Sequence, residues 1–334
     1  MHIGRRRERR RRRWNDHPVT DFATADDLAR RTSAAVAAAV GAGRGLGLAV
    51  DGATVLHDLF SVVVRLDPAP VVVRVPVVLP DPADLGAVAR RQRSELGVTA
   101  WLDAQGVPVI PPSPLVPREP VQRGGFSMTF WQFVEEERGG EPDYVANAES
   151  VPALHAAMRD YPEPLSFLSA AEPWFVTEAL DRLGSRPDLL PAADLERARR
   201  EWAVLEPAVG SRAVFEERFP GIGLQPIHGD CPPANVFAGV EGMRYADFEL
   251  VTLGPVEWDM AALGPALEEA YDRGAHRAGV RTLDRDVLAF VNAVGMLRAL
   301  TTLALVPQLP VLAEYLAPAV DQWRATPFAG GPPS

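Results

Sequence analysis

Apolar positions along this chain change period several times, and each change predicts a different kind of element. The stretch "TADDLARRTSAAVAAAVGAG" places small and apolar residues at helical spacing behind Thr24, with acids in its first turn and glycines at its end. That pattern predicts a helix ending near Gly41. The glycine run "GAGRGLG" then follows a helix instead of a strand and completes no G-x-G-x-x-G, so it reads as a helix stop and linker. Short β-rich runs come next, "LGLAVDG", "LFSVVVRL" and "PVVVRVPVVL", the last two joined by the turn-prone "DPAP". They predict an antiparallel meander. After Asp81 a helical stripe returns through Leu85, Val88, Leu96, Trp101 and Leu102, with Gly106 beyond its end.

"GGFSMTFWQFVEEERGGEP" reads as a strand running into an acidic, glycine-bearing connector, the expected boundary between two lobes. Beyond it, helices are expected over 148–160, 171–184, 191–209, 255–272, 284–305 and 309–324, interrupted near 224–248 by the β-like pieces "LQPIHGD", "NVFAG" and "MRYADFEL". The pattern as a whole predicts an α+β chain. Residues 23–135 form a small antiparallel β-sheet lobe with one main helix, residues 136–330 form a larger, mainly helical lobe, and residues 1–22 are a disordered basic tail.

Composition narrows the chemistry. A length of 334 residues, 47% hydrophobic and 23% charged, suffices for two packed lobes. There is no uninterrupted apolar run of membrane-spanning length, and no apolar segment stands behind the basic start "MHIGRRRERRRRRW". A lone cysteine, Cys231, has no partner for an internal disulfide. A cytoplasmic protein without a membrane partner is therefore expected. The chain has no lysine, so all 34 basic residues are arginine, which excludes a Walker A loop and a pyridoxal phosphate Schiff base. Any grip on phosphate must come from arginine, backbone N–H groups or metal. The net charge of −10 hides an asymmetry: Arg5 to Arg13 holds eight arginines and one glutamate, which leaves 26 basic against 43 acidic residues elsewhere, or −17. A body that acidic repels nucleic acid and suits a cationic partner or a metal.

The chemistry-bearing stretch is "IHGDCPPANVF". His228, Asp230 and Asn235 stand in the order H-x-D-x-x-x-x-N, in which kinases use the Asp to take the acceptor hydroxyl proton and the Asn, five positions on, to hold Mg²⁺. Asp247 in "YADFEL" follows after a short hairpin, as a second metal-binding acid. The division of labour has a reason: a carboxylate bound to metal is a poor base, so one acid faces the acceptor while another holds magnesium with the nucleotide phosphates.

"HGDCPPANVF" followed by "YADFELVTLGPVEWDMAAL" resembles the aminoglycoside phosphotransferase family, bacterial small-molecule kinases with a protein-kinase-like two-lobe fold. The resemblance extends in layout over roughly residues 45 to 305. It implies ATP- and Mg²⁺-dependent phosphorylation of a hydroxyl on a small molecule, with Asp230 as catalytic base, Asn235 and Asp247 as Mg²⁺ ligands, and Asp259 of "EWDMA" as a structural acid at the start of a helix. Arg74 of "VVVRVPV" then takes the strand position that grips nucleotide phosphates, where protein kinases use lysine, and Glu95 takes that of its helix partner. Backbone groups at Phe133 and Val134 would receive adenine. The phosphate-covering glycine-rich loop is missing as a motif, and its place holds only "DGATVLHDLFS".

Plainer readings stand beside these. His228 braces the loop instead of moving protons, His155 packs within a helix, Cys231 fills space, and Glu249 either assists the metal or caps the hairpin. Glu268, Glu269 and Asp272 are acids available to an acceptor. Two rival functions remain: a kinase of the same fold for a macrolide, an amino alcohol or another metabolite, and a nucleotide-binding pseudokinase that regulates a partner. Joint retention of Asp230, Asn235 and Asp247 argues against the second.

Overall fold

A computed structural model describes residues 22–81, 84–137 and 141–329. The expected basic tail lies outside them but for its last residue, and so does part of the expected lobe connector. Helix α1 (Ala25–Gly45) begins at Thr24, whose hydroxyl and backbone N–H exchange hydrogen bonds with Asp27 in a capping box. It runs four residues past its expected stop. The glycines inside its end serve close packing: a Cβ at Gly43 would lie 2.7 Å from a Leu66 methyl, and one at Gly41 would lie 2.5 Å from Arg123 Nε.

Strands β1 (Val50–Asp58), β2 (Ser61–Pro68), β3 (Val71–Pro76), β4 (Val121–Arg123) and β5 (Phe126–Gln132) form an antiparallel sheet in the order β1-β2-β3-β5-β4. Side chains of a strand alternate between faces. Val62, Val64, Leu66, Val71, Val73, Val75, Met128 and Phe130 are buried on one face, against Ala35, Ala38, Ala39 and Ala42 of α1. The alternate positions of β3 include Arg74, which reaches Glu95 on helix α2 (Leu85–Ala104).

The first strand differs from its expected place. It starts at Val50, runs through the segment read as a phosphate-covering loop, and turns at Leu59 and Phe60. Eight of its nine residues are exposed, so burial imposes no apolar alternation on it and the pattern that marks a half-buried strand is absent. The short strand β4 was likewise unmarked; it turns into β5 through Gly124 and Gly125, both at positive φ.

The larger lobe comprises α3 (Tyr144–Met158), α4 (Pro173–Leu183), α5 (Ala192–Gly210), α6 (Arg212–Arg218), α7 (Pro265–Ala278), α8 (Arg285–Thr301) and α9 (Leu312–Ala325). Two small ribbons interrupt them: β6 (Gln225–Ile227) pairs with β9 (Thr252–Gly254), and β7 (Val236–Gly239) with β8 (Gly242–Tyr245). The helix expected over 255–272 is two elements. A 3₁₀ turn, Val256–Met260, ends at Ala262 in a left-handed conformation, and Pro265 opens α7. Among the described residues, Arg285–Leu305 is the stretch long and apolar enough to cross a membrane; its Val287, Phe290, Val291, Val294 and Leu297 are buried in the lobe's core.

The lobes touch at more than the connector. Val77 and Val78, just after β3, pack into the larger lobe's core, the Ala23 N–H donates to the Pro307 carbonyl, and Gln308 donates to the Leu79 carbonyl.

Candidate active site

The loop from His228 to Asn235 joins β6 to β7, and its backbone is held from below. Asp259, fully buried in the 3₁₀ turn and not at a helix start, accepts the N–H groups of His228 at 2.9 Å and Gly229 at 2.7 Å. His155 Nε2 lies 2.8 Å from the same carboxylate, with Nδ1 3.0 Å from the Tyr271 hydroxyl. The indole N–H of Trp258 donates to the Gly229 carbonyl at 2.9 Å. Gly229 has φ +88°, and a Cβ there would fall 2.0 Å from the Leu250 carbonyl oxygen, so no other residue fits. Cys231, at φ +44°, turns the loop; burial pushes its thiol up to about 12, which leaves it unreactive.

His228 is fully buried, and its partners set its tautomer. The Asp230 N–H donates to Nδ1 at 3.3 Å, so Nε2 carries the proton and donates to the Ala246 carbonyl at 2.8 Å. Ala246 in turn donates its N–H to the Asn235 carbonyl at 2.9 Å. These bonds bring Asp247 beside the loop bearing Asp230 and Asn235. The Asn235 amide donates to the Asp230 carbonyl at 2.5 Å, which leaves its own Oδ1 free to bind a cation, and Asn147 holds the Pro233 carbonyl at 3.0 Å. Asp230 is half-buried, and burial raises its carboxyl above the ordinary value although Arg298 pulls it down.

Across the cleft, Arg74 meets three acids. Its Nη1 lies 3.0 Å from Glu95, and its Nη2 lies 3.0 Å from Asp247 and 2.5 Å from Glu249. Glu249 thus lies in ion-pair contact with Arg74, beside Asp247. One guanidinium cannot neutralise three carboxylates. Burial, with Asp247 and Glu249 adding to it and Arg74 opposing it, pushes Glu95 up to about 8. With Glu95 holding its proton near neutral pH, Asp247 and Glu249 still outnumber the one guanidinium, which suits a cation. Among the described residues no group of three or more His, Cys, Asp or Glu side chains is built to hold a metal unaided. Mg²⁺ typically takes one or two protein carboxylates and completes its shell with phosphates and water, so Asp247, whose Oδ1 is met by Arg74 at 3.0 Å, and Asn235, whose Oδ1 is open, fit it.

At the connector, the Phe133 N–H already donates to the Pro70 carbonyl at 3.0 Å, and the Arg65 guanidinium covers the Phe133 ring at 4.0 Å. The acids read as available to an acceptor are largely engaged elsewhere: Glu268 and Asp272 pair with Arg285, and Asp272 also accepts the Leu283 N–H. His155, Tyr271, Asn147 and Trp258 are the supporting residues that motif spacing did not reveal. His155, Tyr271 and Asn147 have the sequence neighbourhoods of ordinary core helices, whereas Trp258 adjoins Asp259 in the 3₁₀ turn, and only the fold shows that all four reach the loop.

Among solved structures, the chain is similar to a choline kinase, LicA, from Streptococcus pneumoniae, with a TM-score of 0.57 and 12% identity over 86% of this chain and 99% of that one. It is similar to an aminoglycoside phosphotransferase, APH(3'')-Id, from Streptomyces rimosus, with a TM-score of 0.52 and 18% identity over 78% of this chain and 96% of that one. A choline/ethanolamine kinase family protein from Mesorhizobium loti matches with a TM-score of 0.51 and 19% identity, over 85% and 93% of the two chains. At such identities the likeness is one of kinase-type fold. No curated protein sequence matches the chain. The model of the APH phosphotransferase enzyme family, however, matches residues 59–291, more than half of the 334 residues, and by that match the chain belongs to this family of small-molecule kinases.

Proposed function

We propose that the protein transfers the γ-phosphoryl group of ATP, with Mg²⁺, to a hydroxyl of a small molecule, and that residues 23–135 and 136–330 act as its nucleotide and acceptor lobes. The observation that carries this reading is the pair of backbone bonds at Ala246, which hold Asp247 against the loop of Asp230 and Asn235. Asp230 serves as the base that orients and deprotonates the acceptor; its raised carboxyl affinity for protons suits that task. Asn235 and Asp247 would hold Mg²⁺, which when bound neutralises charge on the phosphates. His228 and Asp259 keep the loop in shape. Arg74, oriented by Glu95, exchanges its contacts with Asp247 and Glu249 for phosphate oxygens. With the Phe133 N–H engaged, adenine is read by the Phe133 carbonyl and the backbone of Val134.

The acceptor is a hydroxyl compound such as an aminoglycoside or a smaller metabolite. Capture of Glu268 and Asp272 by Arg285 removes carboxylates that a polyamine would use, which favours an acceptor of lower positive charge. The test is ADP release from Mg²⁺-ATP against a panel holding streptomycin, kanamycin, choline and neutral and anionic hydroxyl compounds. Acceptor-stimulated turnover that stops on chelating magnesium supports the reading; nucleotide binding with no turnover on any acceptor or water would favour the pseudokinase.

A further inference from the structure

Helix α2 carries a second charged contact one turn before Glu95, and it leads to the other lobe. Arg91 Nη2 lies 2.5 Å from Glu172 Oε1, and Glu172 Oε2 lies 3.3 Å from Nη2 of Arg298 on α8. Glu172 is buried, at 6% exposure, and sits at the N-terminal boundary of α4 with φ +46°, a left-handed conformation that a glutamate adopts only where its surroundings hold it. Burial pushes its carboxyl up, and the Arg91 and Arg298 guanidiniums more than offset this, so it is held ionised below its ordinary value. The turn just before it, Ser169–Ala171, abuts the catalytic loop: a Cβ on Gly229 would meet the Ala170 side chain at 3.2 Å. Arg298 exerts the strongest attraction on the Asp230 carboxyl.

We propose that Glu172 is a positioning residue for Asp230, joining Arg91 of the nucleotide lobe to Arg298 of the acceptor lobe so that closure of the two lobes seats the catalytic loop. The inference rests on the reading of Asp230 as base. A carboxylate shared by two guanidiniums from different lobes fixes both, and Arg298, whose charge acts on the Asp230 carboxyl, is held in one place by it. Since α2 also carries Glu95, the same helix contacts the nucleotide grip at one turn and the support of the base at the previous turn.

The experiment compares Glu172→Gln, Arg91→Gln and the parent, each also in an Asp230→Asn background, by turnover of Mg²⁺-ATP with water as the probe acceptor and by nucleotide titration. Amide exchange at Gly229 and Asp230 provides a readout independent of turnover. The expected result is turnover about 10- to 100-fold lower, the cost of misplacing a reacting group by about an ångström. Nucleotide affinity stays within about 2-fold, amide exchange in the loop quickens, and no further loss appears in the Asp230→Asn background. Arg91→Gln lies at the partly exposed end of the bridge and keeps the test alive if Glu172→Gln does not fold. Unchanged loop exchange, equal losses in affinity and turnover, or the same loss with and without the Asp230 carboxylate would overturn the proposal. Full activity of Asp230→Asn alone would instead overturn the assignment of the base, with the exchange readout still judging the bridge.

Discussion

Arg74 divides one positive charge among Glu95, Asp247 and Glu249, and burial makes the deepest of these, Glu95, hold its proton. Below its ordinary value of 4.5 the Glu95 carboxyl is protonated in both folded and unfolded chains; between there and about 8 only the folded chain keeps the proton. Stability therefore falls as pH rises through that window. Glu95→Gln is expected to lose this fall, which denaturation at pH 5 to 8.5 without metal or nucleotide would reveal as a flatter profile. Asp230 and Asp247 are expected to separate by phenotype. Asp230→Asn should lower turnover about 10²- to 10⁴-fold, the usual worth of a positioned general base, with ATP affinity nearly unchanged. Asp247→Asn should lower both turnover and magnesium-dependent nucleotide binding. Nucleotide titration and initial rates on both variants check this, and identical failures would refute the division of roles.

Elements were legible where one face is buried and illegible where neither or both are. Strands β2 and β3 announced themselves through runs of valine, a β-branched residue, and alternate positions of each pack on α1. Strand β1 did not, because all its residues after Val50 are exposed; it is held by pairing with β2 and by side-chain contacts from α1 to Val50 and Asp58. The catalytic loop was legible by spacing, yet its conformation depends on neighbours that spacing does not show. Gly229→Ala is expected to disrupt it, since the added carbon would collide with the Leu250 carbonyl at 2.0 Å and the left-handed backbone disfavours a side chain. The measurement is a thermal melt with a turnover assay; a variant with parental stability and rate would show that the loop relaxes freely.

At the scale of the molecule, α1 is a structural layer of the smaller lobe. Deleting residues 1–45 would expose the apolar face of Val62, Val64, Leu66, Val71, Val73 and Val75. Aggregation or a fall in Tm of roughly 10 °C or more is expected, given the area uncovered. Deleting residues 1–13, the arginine tract outside the described residues, is expected to leave Tm and turnover nearly unchanged, and a large loss of either would show that the tract serves the body.

By itself the sequence determined the two-lobe layout, most of the helices in order and the spacing of His228, Asp230, Asn235 and Asp247 on which the proposed chemistry rests. Hydrophobic period reports which faces are covered, and a catalytic loop keeps its residues within a few positions of one another. Only the tertiary structure decided that Glu249 joins Asp247 on Arg74, that His155 and Asp259 clamp the loop, and that Glu172 ties Arg91 to Arg298. These partners lie tens of residues apart, on helices whose charged positions look alike in one dimension. An ion pair inside a protein depends on distance and on exclusion of water, and both are fixed only when distant segments pack.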